Sequence, residues 1–352
     1  VVAPWDIAYH SEKLRQATYH FNQEELRPYF PLPRVLSGLF EIVNRLFGIT
    51  VTKAVAEVWH PDVMFYEIRD ESGAIRGRFY LDLYAREHKR GGAWMAECVG
   101  RYRRPDDVVQ TPVAFLTCNF TQPLDDKSAL LTHDDVITLF HEFGHGLHHL
   151  LSLVEEPSVT GISGVPWDAV ELPSQFLENW CWERGALDLV TSHVDTGEPL
   201  PDKLLQNLRG ARNFQSGMQM VRQLEFGLFD FRLHASIAQI SADAIQRLLD
   251  DVRQQVAVVI PPPFDRFPHA FTHIFAGGYA AGYYGYLWSE VLSADAYNRF
   301  EQEGVFNATT GRAFLQHILE TGGVEEPLDV FRAFRGREPS IDAFLRHWGL
   351  NS

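Results

Sequence analysis

Two histidines and a glutamate stand at the spacing of a metal-dependent hydrolytic site. The sequence His141-Glu142-Phe143-Gly144-His145 separates the two histidines by four positions, so in a helix they lie about one turn apart on the same face. Both imidazoles can then reach one small cation, and Glu142 projects beside it, where its carboxylate can hold a water molecule. This is the H-E-x-x-H pattern, in which two ligands and a carboxylate base serve metal-assisted hydrolysis.

The residues on both sides of this motif are apolar and predict a buried core helix. Val136 and Phe140 precede the motif, and Leu147 and Leu151 follow it. Burial of two histidines and a glutamate is costly unless they are paired or coordinated, which favours metal binding over a surface helix. A catalytic zinc needs three protein ligands and one open position. Metzincin spacing would place a third histidine at Leu151, so a carboxylate from elsewhere is the expected third ligand.

The best candidate for the third ligand is Glu171, in the segment Trp167-Asp-Ala-Val-Glu-Leu-Pro-Ser-Gln-Phe-Leu-Glu178. The apolar spacing predicts a second helix, and the seven positions from Glu171 to Glu178 are nearly two turns, so both carboxylates share one face. Glu178 could then accept the outer N–H of a ligating histidine and fix its tautomer. An ordinary salt bridge or cap is the alternative for Glu178. Asp168 fits a helix cap better than a ligand.

The wider pattern predicts a mainly α-helical chain with one small β-sheet next to the helix of His141. We interpret 1–352 as one catalytic domain. It divides into a helical opening segment (1–50), a part with the sheet and the metal-site helices (51–200), and a helical part with a glycine- and tyrosine-rich loop (201–352). Strands are expected at 51–59, 63–69, 75–84 and 113–120, and helices at 5–47 with a proline-rich connection, 133–152, 168–195, 202–237, 241–257, 279–301, 311–320 and 326–347.

Composition excludes several classes of protein. The 352 residues carry 46 acidic against 31 Lys and Arg side chains, a formal charge of −15, which argues against nucleic acid and anionic membranes as partners. With 45% apolar residues the chain can bury a core. No apolar run reaches the roughly 18 residues of a membrane span, and no signal peptide is visible. The three cysteines lack metal-site spacing, so we expect a soluble protein of the reducing cytoplasm.

Three long segments carry a family resemblance. They are the His141 motif with the Gly-Leu-His-His that follows it, the segment Val170-Glu-Leu-Pro-Ser-Gln-Phe-Leu-Glu-Asn-Trp, and the segment His273-Ile-Phe-Ala-Gly-Gly-Tyr-Ala-Ala-Gly-Tyr-Tyr-Gly-Tyr-Leu-Trp. Together they resemble the thimet oligopeptidase (M3) family of zincin-type metallopeptidases. The resemblance covers essentially the whole chain, but it matches only the C-terminal half of the family. The N-terminal helical half, which builds one wall of the substrate channel, is therefore expected to be absent.

The resemblance implies a metal centre that agrees with the reading of the residues. One Zn²⁺ per chain would be held by His141, His145 and Glu171, with Glu142 as the general base. Short oligopeptides are the substrates that the family implies. The missing N-terminal fragment is a further candidate partner.

Glycines and tyrosines interleave in the third segment. Glycine permits positive φ, and tyrosine hydroxyls are neutral hydrogen-bond donors. A peptide hydrolase needs a donor at the developing oxyanion, worth about 3–4 kcal/mol, and the resemblance gives this role to Tyr286. It places His273, Tyr279 and Tyr283 at the substrate, with His273 counted among the catalytic residues. Aromatic packing is the alternative for each tyrosine, and Tyr284 is the one that we expect to be packed.

The strand at 113–120 has two interpretations. As an edge strand near the metal, it would bind an extended peptide by main-chain pairing, with contacts from Thr117, Asn119 and Phe120. As a central strand, it would be buried and paired on both sides. The sequence leaves both open.

The most concrete functional hypothesis is a zinc-dependent metalloendopeptidase that hydrolyses short oligopeptides, with Glu142 activating water. One alternative is a catalytically weak or silent peptide-binding half that needs the missing N-terminal portion. Another is a dipeptidyl carboxypeptidase of the same family. Peptide cleavage that is abolished by a chelator and by Glu142→Gln would indicate an enzyme and exclude the silent peptide-binding half.

Overall fold

The computed structural model describes residues 2–20, 22–123, 128–236 and 241–350. Within these ranges no helix is long and apolar enough to cross a membrane. The predicted mainly α-helical fold with one small sheet beside the helix of His141 is confirmed. The helices are α1 (Ile7–Tyr19), α2 (Gln23–Leu26), α3 (Leu32–Phe47), α4 (His133–Leu151), α5 (Leu172–Glu178), α6 (Arg184–Val190), α7 (Asp202–Ala211), α8 (Ser216–Ser236), α9 (Ala242–Val256), α10 (Phe267–Ala270), α11 (Thr272–Phe275), α12 (Gly285–Glu303), α13 (Ala308–Phe314), α14 (Pro327–Arg335) and α15 (Asp342–His347).

The main sheet has five strands in the order β1-β2-β3-β7-β4. Strands β3 and β7 are parallel, and the other neighbouring pairs are antiparallel. A separate two-stranded ribbon pairs β5 with β6. The strands are β1 (Thr50–Lys53), β2 (Met64–Arg69), β3 (Ile75–Tyr84), β4 (Trp94–Val99), β5 (Tyr102–Arg103), β6 (Val109–Gln110) and β7 (Val113–Phe120).

The core lies between the sheet and the helices that pack on it. Helix α3 has an amphipathic pattern, with Val35, Leu39, Ile42 and Leu46 fully buried, and it ends at Gly48, whose φ of 70° suits a glycine. Helix α4 contacts β3, β4 and β7. The same cluster of buried side chains joins α3, the sheet, α4 and α5, so the helix with the two histidines is set in the middle of the molecule.

Two predicted strand features are wrong, and one strand was not predicted. The strand expected at 51–59 ends at Lys53, and Val55 beyond it is 99% exposed. Strand β4 was not predicted, because its residues are half-exposed without a period of two. The interpretation of residues 113–120 as an edge strand is also wrong. Strand β7 pairs with β3 on one side and β4 on the other, so β4 forms that edge of the sheet.

Several predicted helices are interrupted. The helix expected at 168–195 consists of α5, a 3-10 turn (Asn179–Trp182) and α6, and residues 167–171 before it form turns. Pro173 favours a helix start at this point, because proline suits the first turn of a helix. The helix at 202–237 is divided between α7 and α8, and that at 279–301 begins only at Gly285. Residues 276–284 therefore form a loop, which we call the tyrosine loop.

Candidate metal centre

The helix that carries the histidines is fixed at its start and along one face. Thr132 caps the N-terminus of α4 and forms a reciprocal pair of hydrogen bonds with Asp135. On the core side, the Phe143 ring packs against Phe40 of α3 and Phe79 of β3, with ring centroids 5.9 and 5.5 Å apart. These contacts set the rotation of α4 about its axis.

His141, His145 and Glu171 meet in space. The Nε2 atoms of His141 and His145 lie 3.2 and 2.9 Å from Oε2 of Glu171. One ligand atom from each of the three residues lies within 4.8 Å of the others. Glu171 is almost fully buried, at 1% exposed. The structure thus brings together the three residues predicted as metal ligands.

A close helix contact places Glu171 opposite the histidines. Glu171 lies just before α5, at its N-cap position, and not inside a helix as expected. Gly144 of α4 faces the start of α5, where an added Cβ would lie 2.5 Å from the carbonyl oxygen of Pro173 and 2.6 Å from Cα of Ser174. Only a glycine allows the two backbones to come this close. Gly144, which offers no side chain to a metal, therefore has a structural role in the motif, because it lets α5 pack closely against α4.

Hydrogen bonds orient the three side chains. Nδ1 of His141 lies 2.7 Å from Oε1 of Glu178, which leaves Nε2 of the same ring facing Glu171. The hydroxyl of Ser174 donates to Oε2 of Glu171 at 3.0 Å, and the hydroxyl of Tyr279 donates to Oε1 at 2.5 Å. Both oxygens of Glu171 are held, so its carboxylate has a defined plane.

The donor set fits a single divalent cation. Zinc bonds of about 2.0–2.2 Å in tetrahedral geometry place the ligand atoms about 3.3 Å apart, which is close to the 3.2 and 2.9 Å between the imidazole nitrogens and Oε2 of Glu171. Two imidazoles and a carboxylate suit zinc and also admit cobalt or manganese. Held by His141, His145 and Glu171, the cation would have a fourth position for solvent.

Protonation at the cluster follows from the mutual attraction of its groups. Burial alone would raise the pKa of Glu171, but the two imidazoles hold it well below its usual value. Burial also opposes charge on His141, yet hydrogen bonds with Glu171 and Glu178 raise its pKa well above the usual value. Positive charge at this point is therefore strongly favoured, as a metal site requires.

Glu142 lies next to the ligands and has an oxygen without a partner. The side chain is 5% exposed, and its Oε2 makes no hydrogen bond to the described residues. Burial raises the pKa of Glu142, although the neighbouring imidazoles oppose the rise. A buried carboxylate with a free oxygen and a raised pKa is suited to take a proton from water.

The tyrosine loop and the first turn of α12, which carries Tyr286, lie beside this cluster, since Tyr279 of the loop donates to Glu171. The ring of Tyr286 stacks on Tyr279 at 5.0 Å and lies 5.2 Å from Tyr283 and 6.1 Å from His273. Burial raises the pKa of Tyr283 to about 12 and that of Tyr286 further, so both hydroxyls stay protonated donors. Burial lowers the pKa of His273, which favours the neutral ring. The expectation that Tyr284 is the packed tyrosine is wrong, because Tyr284 is 40% exposed and Tyr283 only 8%.

Thr117 does not lie on a free strand edge, whereas Asn119 and Phe120 lie beyond the last residue of β7 that pairs with β4. Thr117 pairs with Trp94 and Phe120 with Tyr84, and both side chains are buried. The amide of Asn119 donates to the carbonyl oxygens of residues 90 and 92, which holds the loop before β4. Main-chain pairing of β7 with a peptide is therefore ruled out over residues 113–117, where neighbouring strands occupy both of its sides. The predicted peptide contacts of Asn119 and Phe120 stay a prediction.

Three residues beside the site were not predicted. Gly144 and Ser174 lie within the recognised motifs, but only the contact between α4 and α5 shows what they do. Trp167 packs on Tyr279 with ring centroids 4.3 Å apart and lies against the tyrosine loop. The glycines of that loop were the only indication of Trp167 in the sequence, because glycines predict a close neighbour but do not identify which residue it is.

The fold and the site together define a class. A core helix with H-E-x-x-H beside a small sheet, completed by a carboxylate from a following segment, is the arrangement of the zincin-type metallopeptidases. The chain belongs to peptidase family M3, whose model matches residues 1–350. The family predicted from the three segments is confirmed.

Curated relatives agree with this assignment. The chain is 60% identical over 348 residues to Oligopeptidase A of Salmonella typhimurium and to Oligopeptidase A of Escherichia coli, with 99% of this chain and 51% of each relative covered. It is 37% identical over 358 residues to Dipeptidyl carboxypeptidase of Escherichia coli, with 99% and 51% covered. The chain spans about half the length of the curated relatives it matches.

Solved structures agree on the fold alone. PZ peptidase A with an inhibitor gives a TM-score of 0.52 at 16% identity, covering 76% of this chain and 42% of that one. A carboxypeptidase of Pyrococcus furiosus gives 0.54 at 14% identity, covering 98% and 64%.

Proposed function

We propose that the chain carries the catalytic centre of a zinc-dependent endopeptidase that hydrolyses peptide bonds in short oligopeptides. The observation that carries this proposal is the convergence of His141, His145 and Glu171 beside a buried oxygen of Glu142 that has no hydrogen-bond partner among the described residues. The 60% identity to two proteins named Oligopeptidase A supports the substrate class. Identity to the dipeptidyl carboxypeptidase is lower, at 37%.

The side chains have separate roles in the proposed hydrolysis. When bound, the cation supplies Lewis-acid polarisation of the scissile carbonyl and raises the acidity of water. Glu142 accepts a proton from the attacking water as the new C–O bond forms, and gives it to the leaving amine nitrogen as the C–N bond breaks. The hydroxyl of Tyr286 donates to the developing oxyanion. Tyr279 holds Glu171 through its hydroxyl, and we propose that His273 and Tyr283 complete the substrate side of the cleft.

The peptide would pair with β4 instead of β7. Strand β4 forms the edge of the sheet, and helix α4 contacts it. A free strand edge binds an extended peptide through main-chain hydrogen bonds, with little selectivity for side chains. This suits an enzyme for varied oligopeptides. A relative in Arabidopsis thaliana, 48% identical, is named a probable cytosolic oligopeptidase A, and we propose the cytoplasm for this protein as well.

The test uses an internally quenched oligopeptide with a blocked C-terminus. The zinc-loaded chain should cleave it at an internal bond, and a chelator should stop cleavage. Glu142→Gln should retain the metal and lose at least about 10²-fold in kcat, while Glu87→Gln, at a side chain 88% exposed, should behave as wild type. Undiminished cleavage by Glu142→Gln would refute the proposal.

The same assay separates the alternatives. Cleavage only of peptides with a free C-terminus, with release of dipeptides, would identify a dipeptidyl carboxypeptidase. Metal binding without turnover, followed by turnover when the remainder of a full-length relative is supplied, would identify an incomplete half.

A further inference from the structure

Asp230 has a carboxylate with no exposure, in the middle of helix α8. Its neighbours on the helix, Phe229 and Leu233, belong to an apolar cluster, and Asp230 itself is 0% exposed. A buried carboxylate is costly unless hydrogen bonds satisfy it. Nδ1 of His234, one turn further along α8, lies 2.9 Å from Oδ1 of Asp230. The remaining partners come from outside the helix.

Those partners are two backbone N–H groups of the tyrosine loop. Ala281 donates its N–H to Oδ1 of Asp230 at 2.9 Å, and Tyr283 donates its N–H to Oδ2 at 3.0 Å. Ala281 has a φ of 55°, a conformation that L-residues rarely adopt. Hydrogen bonds to an ionised group are stronger than neutral ones, so Asp230 can hold the loop in this unfavourable conformation.

The ring of Tyr283 is held by the same helix. Its hydroxyl lies 3.2 Å from Oε1 of Gln223, two turns before Asp230 on α8. The Tyr283 ring also touches the ring of Tyr286 at 5.2 Å, and Tyr286 stacks on Tyr279 at 5.0 Å. A shift of the loop at Tyr283 would therefore move the hydroxyl proposed to meet the oxyanion.

The other side of the loop is closed by Trp167. A Cβ added to Gly278 of the loop would lie 3.0 Å from the Trp167 ring, and one added to Gly285, the first residue of α12 after the loop, would lie 2.3 Å from its carbonyl oxygen. Trp167 precedes Glu171 by four positions. The loop is thus held between α8 and the segment that leads to the third metal ligand.

We propose that Asp230 is a positioning residue for hydrolysis, acting through the backbone of the tyrosine loop on the hydroxyl of Tyr286. This inference rests on the proposed function. Asp230 does not touch the metal ligands or the reacting atoms. Its effect is geometric, and a misplacement of about 1 Å in such a group can cost about 10²-fold in rate.

A double-mutant cycle tests this coupling. Asp230→Asn keeps the shape of the side chain but offers one acceptor oxygen to two N–H donors. In the wild-type background it should lower kcat by about 10- to 100-fold with little change in KM. In the Tyr286→Phe background, where no hydroxyl remains to be misplaced, the same change should cost less than about 3-fold. Asp251→Asn, an exposed aspartate of α9, is the matched control and should change neither constant.

Equal losses in both backgrounds, or no loss in the wild-type background, would overturn the inference. Backbone amide exchange gives a readout that needs no turnover. Asp230→Asn should accelerate exchange in residues 276–284 while α4 stays protected, and unchanged exchange in that loop would also overturn it. Amide exchange in the loop could accelerate while neither the wild-type nor the Tyr286→Phe background hydrolyses any peptide. In that case the proposed function is wrong, and the contact between Asp230 and the loop stands. If Asp230→Asn does not fold, Asp230→Ser, which removes the buried charge, is measured by the same two readouts.

Discussion

Nδ1 of His141 lies 2.7 Å from Oε1 of Glu178, while Nε2 of the same ring lies 3.2 Å from Glu171. One imidazole thus connects the carboxylate at the third ligand position with a carboxylate two turns further along the chain. With a cation bound, a carboxylate on Nδ1 would fix the orientation and the tautomer of the ring and leave only Nε2 to face the cation. The sequence had left an ordinary salt bridge open for Glu178, and the geometry favours the orienting role.

Removing this support should weaken metal binding. Glu178→Ala leaves His141 free to rotate, so the affinity for zinc should fall about 10- to 100-fold. Competition with a chromophoric chelator measures the affinity. Glu198→Ala, at an exposed glutamate, serves as the control. Identical zinc affinities for Glu178→Ala and wild type would show that Glu178 is only a surface partner.

The hydroxyl of Tyr286 should matter in the transition state and little before it. Tyr286→Phe keeps the stack on Tyr279 and removes only the donor, so kcat should drop about 10²- to 10³-fold with KM nearly unchanged. Steady-state kinetics on a quenched peptide gives both constants. Tyr284→Phe, at a ring 40% exposed, is the control and should change neither kcat nor KM. A rise in KM without a fall in kcat would instead assign Tyr286 to ground-state binding.

Gly144 should be essential for the distance between the histidines and Glu171. A methyl group at this position would lie 2.5 Å from the carbonyl oxygen of Pro173, so α5 must move away. We expect Gly144→Ala to lower the free energy of unfolding by about 1–3 kcal/mol and to weaken zinc binding as well. Urea unfolding and chelator competition measure the two effects. Gly217→Ala, where an added Cβ meets no atom of the described residues within 4 Å, should not be destabilising.

Glu290 should make the stability fall as the pH rises. Burial raises its pKa from 4.5 to about 7, although Nε1 of Trp348 donates a hydrogen bond that opposes the rise. Below pH about 4.5 the carboxyl is neutral in both states. Between about pH 4.5 and 7 the unfolded chain has released this proton while the native state still holds it, so the native state loses stability as the pH rises, and above 7 the loss is complete. Glu290→Gln should therefore match wild type near pH 4.5 and exceed it by at most about 3 kcal/mol near pH 8.

Urea unfolding at both pH values measures this difference. Glu198→Gln is the control and should follow wild type at each pH. A gain for Glu290→Gln that is equal at the two pH values would mean that packing, and not titration, causes it.

The local chemistry could be predicted from the sequence, because short spacings define it. The pair His141 and His145 needs only the geometry of a helix, and the need for a third ligand led to Glu171. The conformation around Glu171 could not be predicted. Apolar spacing alone suggested one long helix, whereas the chain turns before α5 and again near Asn179.

Contacts between distant segments gave no local signal. Strand β4 is half-exposed and lacks alternation, so β7 was open to interpretation as an edge. The bond from Asp230 to Ala281 joins residues 51 positions apart, and nothing near either residue predicts it. The glycine at position 144 looks like a free position of the motif until the neighbouring helix is placed.

The central claim is that one cation, bound by His141, His145 and Glu171, is required for peptide hydrolysis. Titration of zinc into the metal-free chain, with cleavage of a quenched peptide as the readout, tests it most directly. The rate should rise in proportion to added zinc and level off at one equivalent per chain, and Glu171→Ala should abolish this response. Full cleavage by the metal-free chain, or an unchanged response in Glu171→Ala, would contradict it.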